Sequence, residues 1–334
     1  RAGYASLTKN IEKQVAEDIV GAAELYTQIF GLRPYERLKV AEVFSYHGEA
    51  FPGLLHLGLQ TWFKTDQWGN ERLFRAHETA HQWWGVAVGY ESYHDQWLSE
   101  GFAQYAAWKY IQQVDPGRAR KILEEWRDEI LSVRDYGFGM KGTEAGPIIL
   151  GPRTASSKTE GDYQLIVYKK GALVLRILEE MVDPEFDDST SGSRMTRAGF
   201  ETIMQRFYSE FQGKQASTAD FQRIVEDEVG EDMDWFFRQW VYGTRIPTVT
   251  VEWTKGQNDS GWYVDGRVTF EGVDSTFRMP VNASVYTGGT GRIWLSAPVD
   301  NFRIEGIRLE PEKLFFEEPS RFPCRLARIR IQGP

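Results

Sequence analysis

His77, Glu78 and His81 stand in the run RLFRAHETAHQWWG, two imidazoles four residues apart with a carboxylate beside the first. On a helix, positions i and i+4 share a face, so this spacing predicts both rings on one side. The run favours a helix over Glu71 to Trp84: Ala, Glu, Arg and Leu are good helix formers, no Gly or Pro interrupts, and Asn70 suits the N-cap. Two imidazoles so placed can grip one zinc ion, with Glu78 on the side where a water would bind. Hydrolytic zinc chemistry needs a third protein ligand and an open fourth position. Glu100, nineteen residues past His81 in WLSEGFAQY, is the candidate.

The elements that must position these residues follow from pattern. Residues 8–30 carry apolar residues at helical spacing, with Gly31 as a natural stop. Residues 37–63 read as two short strands around the turn-like His47-Gly48-Glu49 and Pro52-Gly53. After the histidine helix, a second is expected from about Asp95 to Gln113, and Asp115-Pro116 caps and opens a third to about Arg134. Glycines and prolines make 135–162 a long irregular segment, of the kind that is usually functional when it interrupts a domain. It leads into YQLIVYKKGALVLRILEEMV (163–182), apolar on most faces and so a buried helix. Helices are expected at about 197–212, 218–229, where Ser217 and Asp220 resemble a capping box, and 231–242. Beyond Gly243-Thr244-Arg245-Ile246-Pro247, about seven short alternating strands predict a β-sandwich. The expected class is therefore α+β, with domains over 1–244 and 245–334.

At this point the chain resembles the gluzincin metallopeptidases of the aminopeptidase N and leukotriene hydrolase type. HETAHQWWG and WLSEGFA look like that family's two zinc blocks, and YKKGA like its downstream tyrosine signature. The similarity runs through DWFFRQWVYGTRIPTV and so spans nearly all of 10–250. The resemblance implies a mostly helical, thermolysin-like catalytic domain with a small sheet and one zinc ion. It makes His77, His81 and Glu100 the zinc ligands, Glu78 the general base and Tyr168 the donor to the oxyanion. On its own Tyr168 reads as a packing residue, since a buried tyrosine usually just finds one hydrogen-bond partner. Tyr163, five residues earlier, sits where some members carry a second tyrosine.

One departure bears on substrate. The family's aminopeptidases carry a G-x-M-E-N strand whose Glu binds the substrate's α-amine. Aligned on Gly58-Leu59-Gln60-Thr61-Trp62, that Glu falls on Leu55, which cannot pair with an ammonium. Gly53, Leu54, Leu55 and His56, with Tyr163, are then the expected substrate contacts, and Glu49 or Glu144 a replacement anchor. The reading is zinc-dependent peptide hydrolysis, with an endopeptidase using the same site or a non-catalytic zinc-containing module of a larger assembly as alternatives. His47 and His94 read as surface residues, His56 as structural, and Trp83-Trp84 as packing for the zinc helix.

Bulk composition narrows the classes. At 334 residues the chain is long enough for two domains, and a net charge of −9 argues against a nucleic-acid partner. No apolar run reaches the roughly 18 to 20 residues of a membrane span. A single cysteine, Cys324, excludes an intrachain disulfide and a Cys-based zinc site. The opening RAGYASLTKN, without Met, predicts a processed product or a piece of a longer protein, secreted or periplasmic, with an N-terminal domain or partner chain elsewhere.

Overall fold

The computed structural model describes residues 2–45, 47–58, 61, 70–131, 133–134, 140–141, 145–156, 161–182, 199–286, 289–316 and 325–331. Helix α1 (Ala2–Ile29) opens the chain and stops before Gly31, whose φ of 115° only glycine adopts freely. Strands β1 (Lys39–Val43), β2 (Glu49–Phe51) and β3 (Leu54–Gly58) follow and pair in the order β1-β3-β2. β1 runs parallel to β3, and β2 folds back antiparallel to it around Pro52-Gly53, with Glu49 opposite His56. The sequence reads 47–49 only as a turn; Glu49 instead begins a short strand at the open edge of this sheet. Leu55 and Leu57, on one face of β3, are fully buried and pack with Val15 and Ile19 of α1.

The histidine helix α2 (Asn70–Ala80) lies on α1. Tyr26 donates its hydroxyl to Ala76 O at 3.1 Å, and Asp18 pairs with Arg72 and Arg75 at 3.0 and 3.3 Å. Asp18 and Arg75 are almost wholly enclosed, so losing either partner would strand a buried charge at a cost of about 3–5 kcal/mol. After strand β4 (Val88–Tyr90) and a short turn, α3 (Trp97–Val114) and α4 (Pro116–Leu131) form as the sequence leads one to expect. Asp95 fixes the start of α3 by accepting from Thr218 N and Oγ1 at 2.8 and 2.9 Å, while Trp97 Nε1 donates to the same hydroxyl.

The helix expected over 163–182 is two pieces. Gln164–Lys170 is wound as a π-helix, and α5 (Gly171–Val182) continues it in α form. Helices α6 (Phe200–Phe211), α7 (Thr218–Val229) and α8 (Asp234–Trp240) follow, and strand β5 (Lys214–Ala216) pairs in parallel with β4. Ser217 and Asp220 form the expected capping box at α7. Large side chains such as Trp83, Trp84, Trp97, Phe102, Phe207 and Phe221 fill one core, each contributing about 1.5–3 kcal/mol by leaving water.

The seven expected strands are β6 (Thr248–Asn258), β7 (Gly261–Glu271), β8 (Arg278–Val285), β9 (Gly289–Ser296), β10 (Val299–Ile307), β11 (Leu314–Phe316) and β12 (Arg325–Ile331). They make a four-stranded sheet in the order β10-β7-β6-β12 and a three-stranded sheet in the order β9-β8-β11. Val249, Val251 and Trp253 alternate inward along β6, as do Val264, Val268 and Phe270 along β7, the pattern of a sheet with one buried face. Trp240 at the end of α8 packs edge-on against Phe277 at 5.6 Å. Among the described residues, no helix is long and apolar enough to cross a membrane.

Candidate active site

His77 on the buried face of α2 and His81, one residue past its end with its N–H still on His77 O at 3.2 Å, place their rings on one side, as their spacing predicts. The helix ends earlier than the sequence pattern: it closes at Ala80, and residues 82–88 turn back through bonds such as Gln82 N to Thr79 O and Val88 N to Trp83 O. Gly85 makes this turn, with φ at 103° and so little room that a Cβ would lie 2.3 Å from Ser99 Oγ. The early stop has a consequence for the site. It turns Trp84 O toward His81, whose Nδ1 bonds to it at 2.9 Å. A carbonyl only accepts, so Nδ1 carries a proton, which leaves Nε2 as the nitrogen that would face a metal ion.

Across from α2, the first turn of α3 presents Glu100. Its Oε2 lies 3.4 Å from His77 Nε2 and 3.2 Å from His81 Nε2, and the two Nε2 atoms are 3.0 Å apart. The three ligand atoms fall within 4.8 Å of one another, in largely buried surroundings. Two imidazole nitrogens and a carboxylate oxygen converging on one point match the donor set of a tetrahedral zinc site with one position left open. Burial opposes ionisation of Glu100, yet the His81 and His77 imidazoles outweigh it and hold its carboxyl far below the usual range. His81 responds in the opposite sense: burial disfavours its charge, but Glu100 and Glu78 push its pKa up to about 9.

Glu78 is enclosed, and burial raises its pKa, partly offset by the two histidines. A Cβ on Gly48 would lie 2.5 Å from Glu78 Cδ, so the chain entering β2 rests directly on this carboxylate. Tyr168 stacks on the His77 ring, with centroids 5.6 Å apart and planes at 12°, and meets Tyr163 edge-on at 5.3 Å. Burial, then the negative Glu100 and neighbouring Tyr163, raise the Tyr168 pKa strongly, so its phenol keeps its proton. The close approach of two glycines sets this geometry. A Cβ on Gly101 would stand 3.1 Å from Val167 O, and one on Gly171 3.1 Å from Gly101 Cα. Backbones of α3 and the π-helical segment touch there, and Glu100 sits one residue from the contact.

A cavity of about 690 Å³ opens onto these groups, lined by His77, Glu78, His81, Glu100 and Tyr168. Its outer wall is His47–Phe51, and this corrects the sequence reading. Gly53, Leu54, Leu55 and His56 are not among the residues lining the cavity. Leu55 is fully buried against α1, Gly53 is the hairpin turn with its N–H on Gln82 Oε1, and His56 packs on Phe51. In this hairpin it is β2, antiparallel to β3, whose Glu49, Ala50 and Phe51 line the cavity. His47, read as a surface residue, is exposed but borders the cavity. Glu49 lines it too, its carboxylate 3.4 Å from His47 Nε2 and 3.8 Å from His56 Nδ1. Glu144 and Cys324 lie outside the described residues.

Gln104, Gln164 and Lys169 also line the cavity, unanticipated from sequence. Helical spacing held the signal for two of them, since Gln104 is i+4 from Glu100 and Gln164 is i−4 from Tyr168. His94 is as exposed as expected, with Nδ1 on Ile149 O at 2.7 Å. Trp83 and Trp84 are buried and pack α2 against Tyr26 and Phe30.

A sequence model described as the peptidase family M1 domain matches residues 65–240, more than half of the chain. The chain belongs to peptidase family M1. Its relatives include human glutamyl aminopeptidase, 28% identical over 199 residues, which cover 58% of this chain and 18% of that protein. A probable aminopeptidase 1 from Sulfurisphaera tokodaii is 27% identical over 216 residues, 63% of this chain and 24% of its own length. Mouse aminopeptidase O is 25% identical over 257 residues, 70% of this chain and 29% of the relative. The chain thus spans less than a third of each of these relatives. Its fold is similar to that in the crystal structure of Legionella pneumophila aminopeptidase A in complex with aspartic acid. That likeness has a TM-score of 0.68 at 13% identity, covering 94% of this chain and 34% of the other.

Proposed function

We propose that this M1 chain is a zinc metallopeptidase of aminopeptidase type, with His77, His81 and Glu100 as the ligands of one zinc ion. The observation that carries the reading is the convergence of those three ligand atoms beside Glu78 and Tyr168 in one cavity. When bound, zinc supplies a Lewis acid that polarises the scissile carbonyl and acidifies water toward neutral pH. Glu78 takes a proton from the attacking water on its carboxylate and passes it to the departing amine; a buried, raised carboxyl suits both halves of that transfer. Tyr168 donates its phenolic hydrogen to the oxygen on which negative charge develops. The open edge of β2 gives an extended substrate backbone N–H and C=O groups to pair with.

Glu49 takes the α-amine. Its support is position: it is a carboxylate on the strand that lines the cavity, where the sequence alignment finds only Leu55. Residues 1–244 form the thermolysin-like catalytic domain in this reading. The two C-terminal sheets are the faces of a β-sandwich over 245–334, and a further domain or partner chain completes the assembly.

A panel of free-amine aminoacyl reporters and amine-blocked, internally quenched peptides tests this, with and without chelator and with Glu78→Gln as control. Hydrolysis of free-amine substrates alone, lost with chelator and in Glu78→Gln although that variant retains zinc, is the expected result. Cleavage of blocked peptides would instead make the chain an endopeptidase, and absence of any turnover would leave a zinc-containing binding module.

A further inference from the structure

Lys170 closes the π-helical segment two residues after Tyr168, and its side chain is 1% exposed. Nothing in the hydrolytic chemistry uses it. Its Nζ donates to Gly243 O at 2.9 Å, and that carbonyl is the acceptor it finds in the interior. A buried ammonium held by one neutral carbonyl is expensive, and burial alone depresses its pKa to about 8. A leucine or methionine would fill such a site at lower cost.

The acceptor is equally constrained. Gly243 follows α8, and a Cβ there would lie 2.6 Å from Gln239 O and 2.8 Å from Arg238 O, so the chain lies flat on the last turn of that helix. Val241 O, two residues earlier, accepts from Ile148 N at 3.1 Å. The stretch 241–243 is thus pinned from two directions just before it enters β6. A π-helix is intrinsically poor and persists where surroundings hold it. Gly101 and Gly171 grip the segment on the Glu100 side; Lys170 grips it on the side of the C-terminal sheets.

We propose that Lys170 is a positioning residue for Tyr168, tying the π-helical segment to the Gly243 carbonyl and so coupling the chain beyond α8 to the oxyanion donor. This rests on the reading of Tyr168 given above. The step asked of Lys170 is geometric, and displacement of a catalytic group by about 1 Å can cost 10²-fold in rate.

The test is a double-mutant cycle on the zinc-loaded full chain, reading kcat, KM, zinc content and thermal unfolding with an aminoacyl reporter. Lys170→Met should remain folded and zinc-bound, with kcat lowered between about 10- and 100-fold and KM unmoved. Adding Lys170→Met to Tyr168→Phe should change kcat by less than about twofold, because the group being positioned is already gone. An unchanged kcat in Lys170→Met, or an equal loss in both backgrounds, overturns the proposal. A wild-type kcat in Tyr168→Phe sinks the oxyanion reading itself. An impaired Tyr168→Phe beside an unimpaired Lys170→Met sinks only the role of Lys170. If Lys170→Met does not fold, Gly243→Ala displaces the acceptor from the other end: a lowered kcat with unmoved KM supports the coupling, and an unchanged kcat overturns it.

Discussion

At the scale of single residues, the proposed roles separate groups that would hold metal from groups that would move protons. Trp84 O bonds to His81 and the Tyr168 ring stacks on His77, so removing the Tyr168 hydroxyl alone leaves both contacts in place. Tyr168→Phe should therefore keep full zinc stoichiometry while kcat falls by about 10² or more, the usual contribution of one oxyanion donor. Loss of zinc in that variant would show that the hydroxyl, and not only the stacked ring, is needed to retain the metal. Glu49→Gln tests the other end of the substrate. It removes a negative charge facing the cavity, so KM for a free-amine reporter should rise about tenfold or more with a smaller change for an amine-blocked peptide. Equal KM values in wild type and variant would remove Glu49 from substrate binding.

Among elements, the decisive contact is where α3 meets the π-helical segment. Gly101 and Gly171 let the two backbones touch, which places Glu100 and Tyr168 around one point. Gly101→Ala adds a methyl 3.1 Å from Val167 O and 3.2 Å from Gly171 Cα, both backbone atoms that cannot rotate away. Overpacking of this kind costs about 1–3 kcal/mol, against which alanine's better helix propensity returns at most about 1 kcal/mol. Thermal unfolding should show a lower Tm together with weaker zinc retention; a Tm at or above wild type would mean the helices separate freely. The sequence displayed both glycines, in SEGF and KKGA, but it did not reveal that they face each other. That pairing spans seventy residues of chain and depends on how α3 and α5 cross. The π winding was likewise invisible, because 163–182 is uniformly apolar and its periodicity cannot report one extra residue per turn.

For the whole molecule, buried ionisable groups set how stability follows pH. Lys170 has its ammonium depressed from 10.5 to about 8 by burial. Above pH 8 the folded protein releases this proton while the unfolded chain keeps it until about 10.5, so the unfolded state binds more protons and stability rises with pH. Below pH 8 both states hold the proton and the term is constant. Measured as the difference in unfolding free energy between wild type and Lys170→Met, where groups common to both cancel, wild type should gain on the order of 3 kcal/mol between pH 8 and 10.5. Denaturant titrations at pH 7.5 and 10 read most of that change. A difference independent of pH would show that Lys170 stays charged inside the fold.

The candidate site was largely legible in the sequence. His77, Glu78 and His81 at helical spacing and Glu100 in a helix of its own need only local geometry and residue type to be singled out, whereas Tyr168 stood out only through the family resemblance. Local pattern also predicted the capping box at Ser217, the stop at Gly31 and the alternation of the C-terminal strands, because caps, turns and strand faces are decided within a few residues. Tertiary structure decided what depends on neighbours far along the chain. It ended α2 at Ala80, where Gly85 must clear Ser99, and thereby turned Trp84 O onto His81. It buried Leu55 beneath α1 and set β2, with Gly48 and Glu49, against the cavity. Strand pairing, not residue type, determines which side of a hairpin faces the substrate, and a single sequence does not carry that choice.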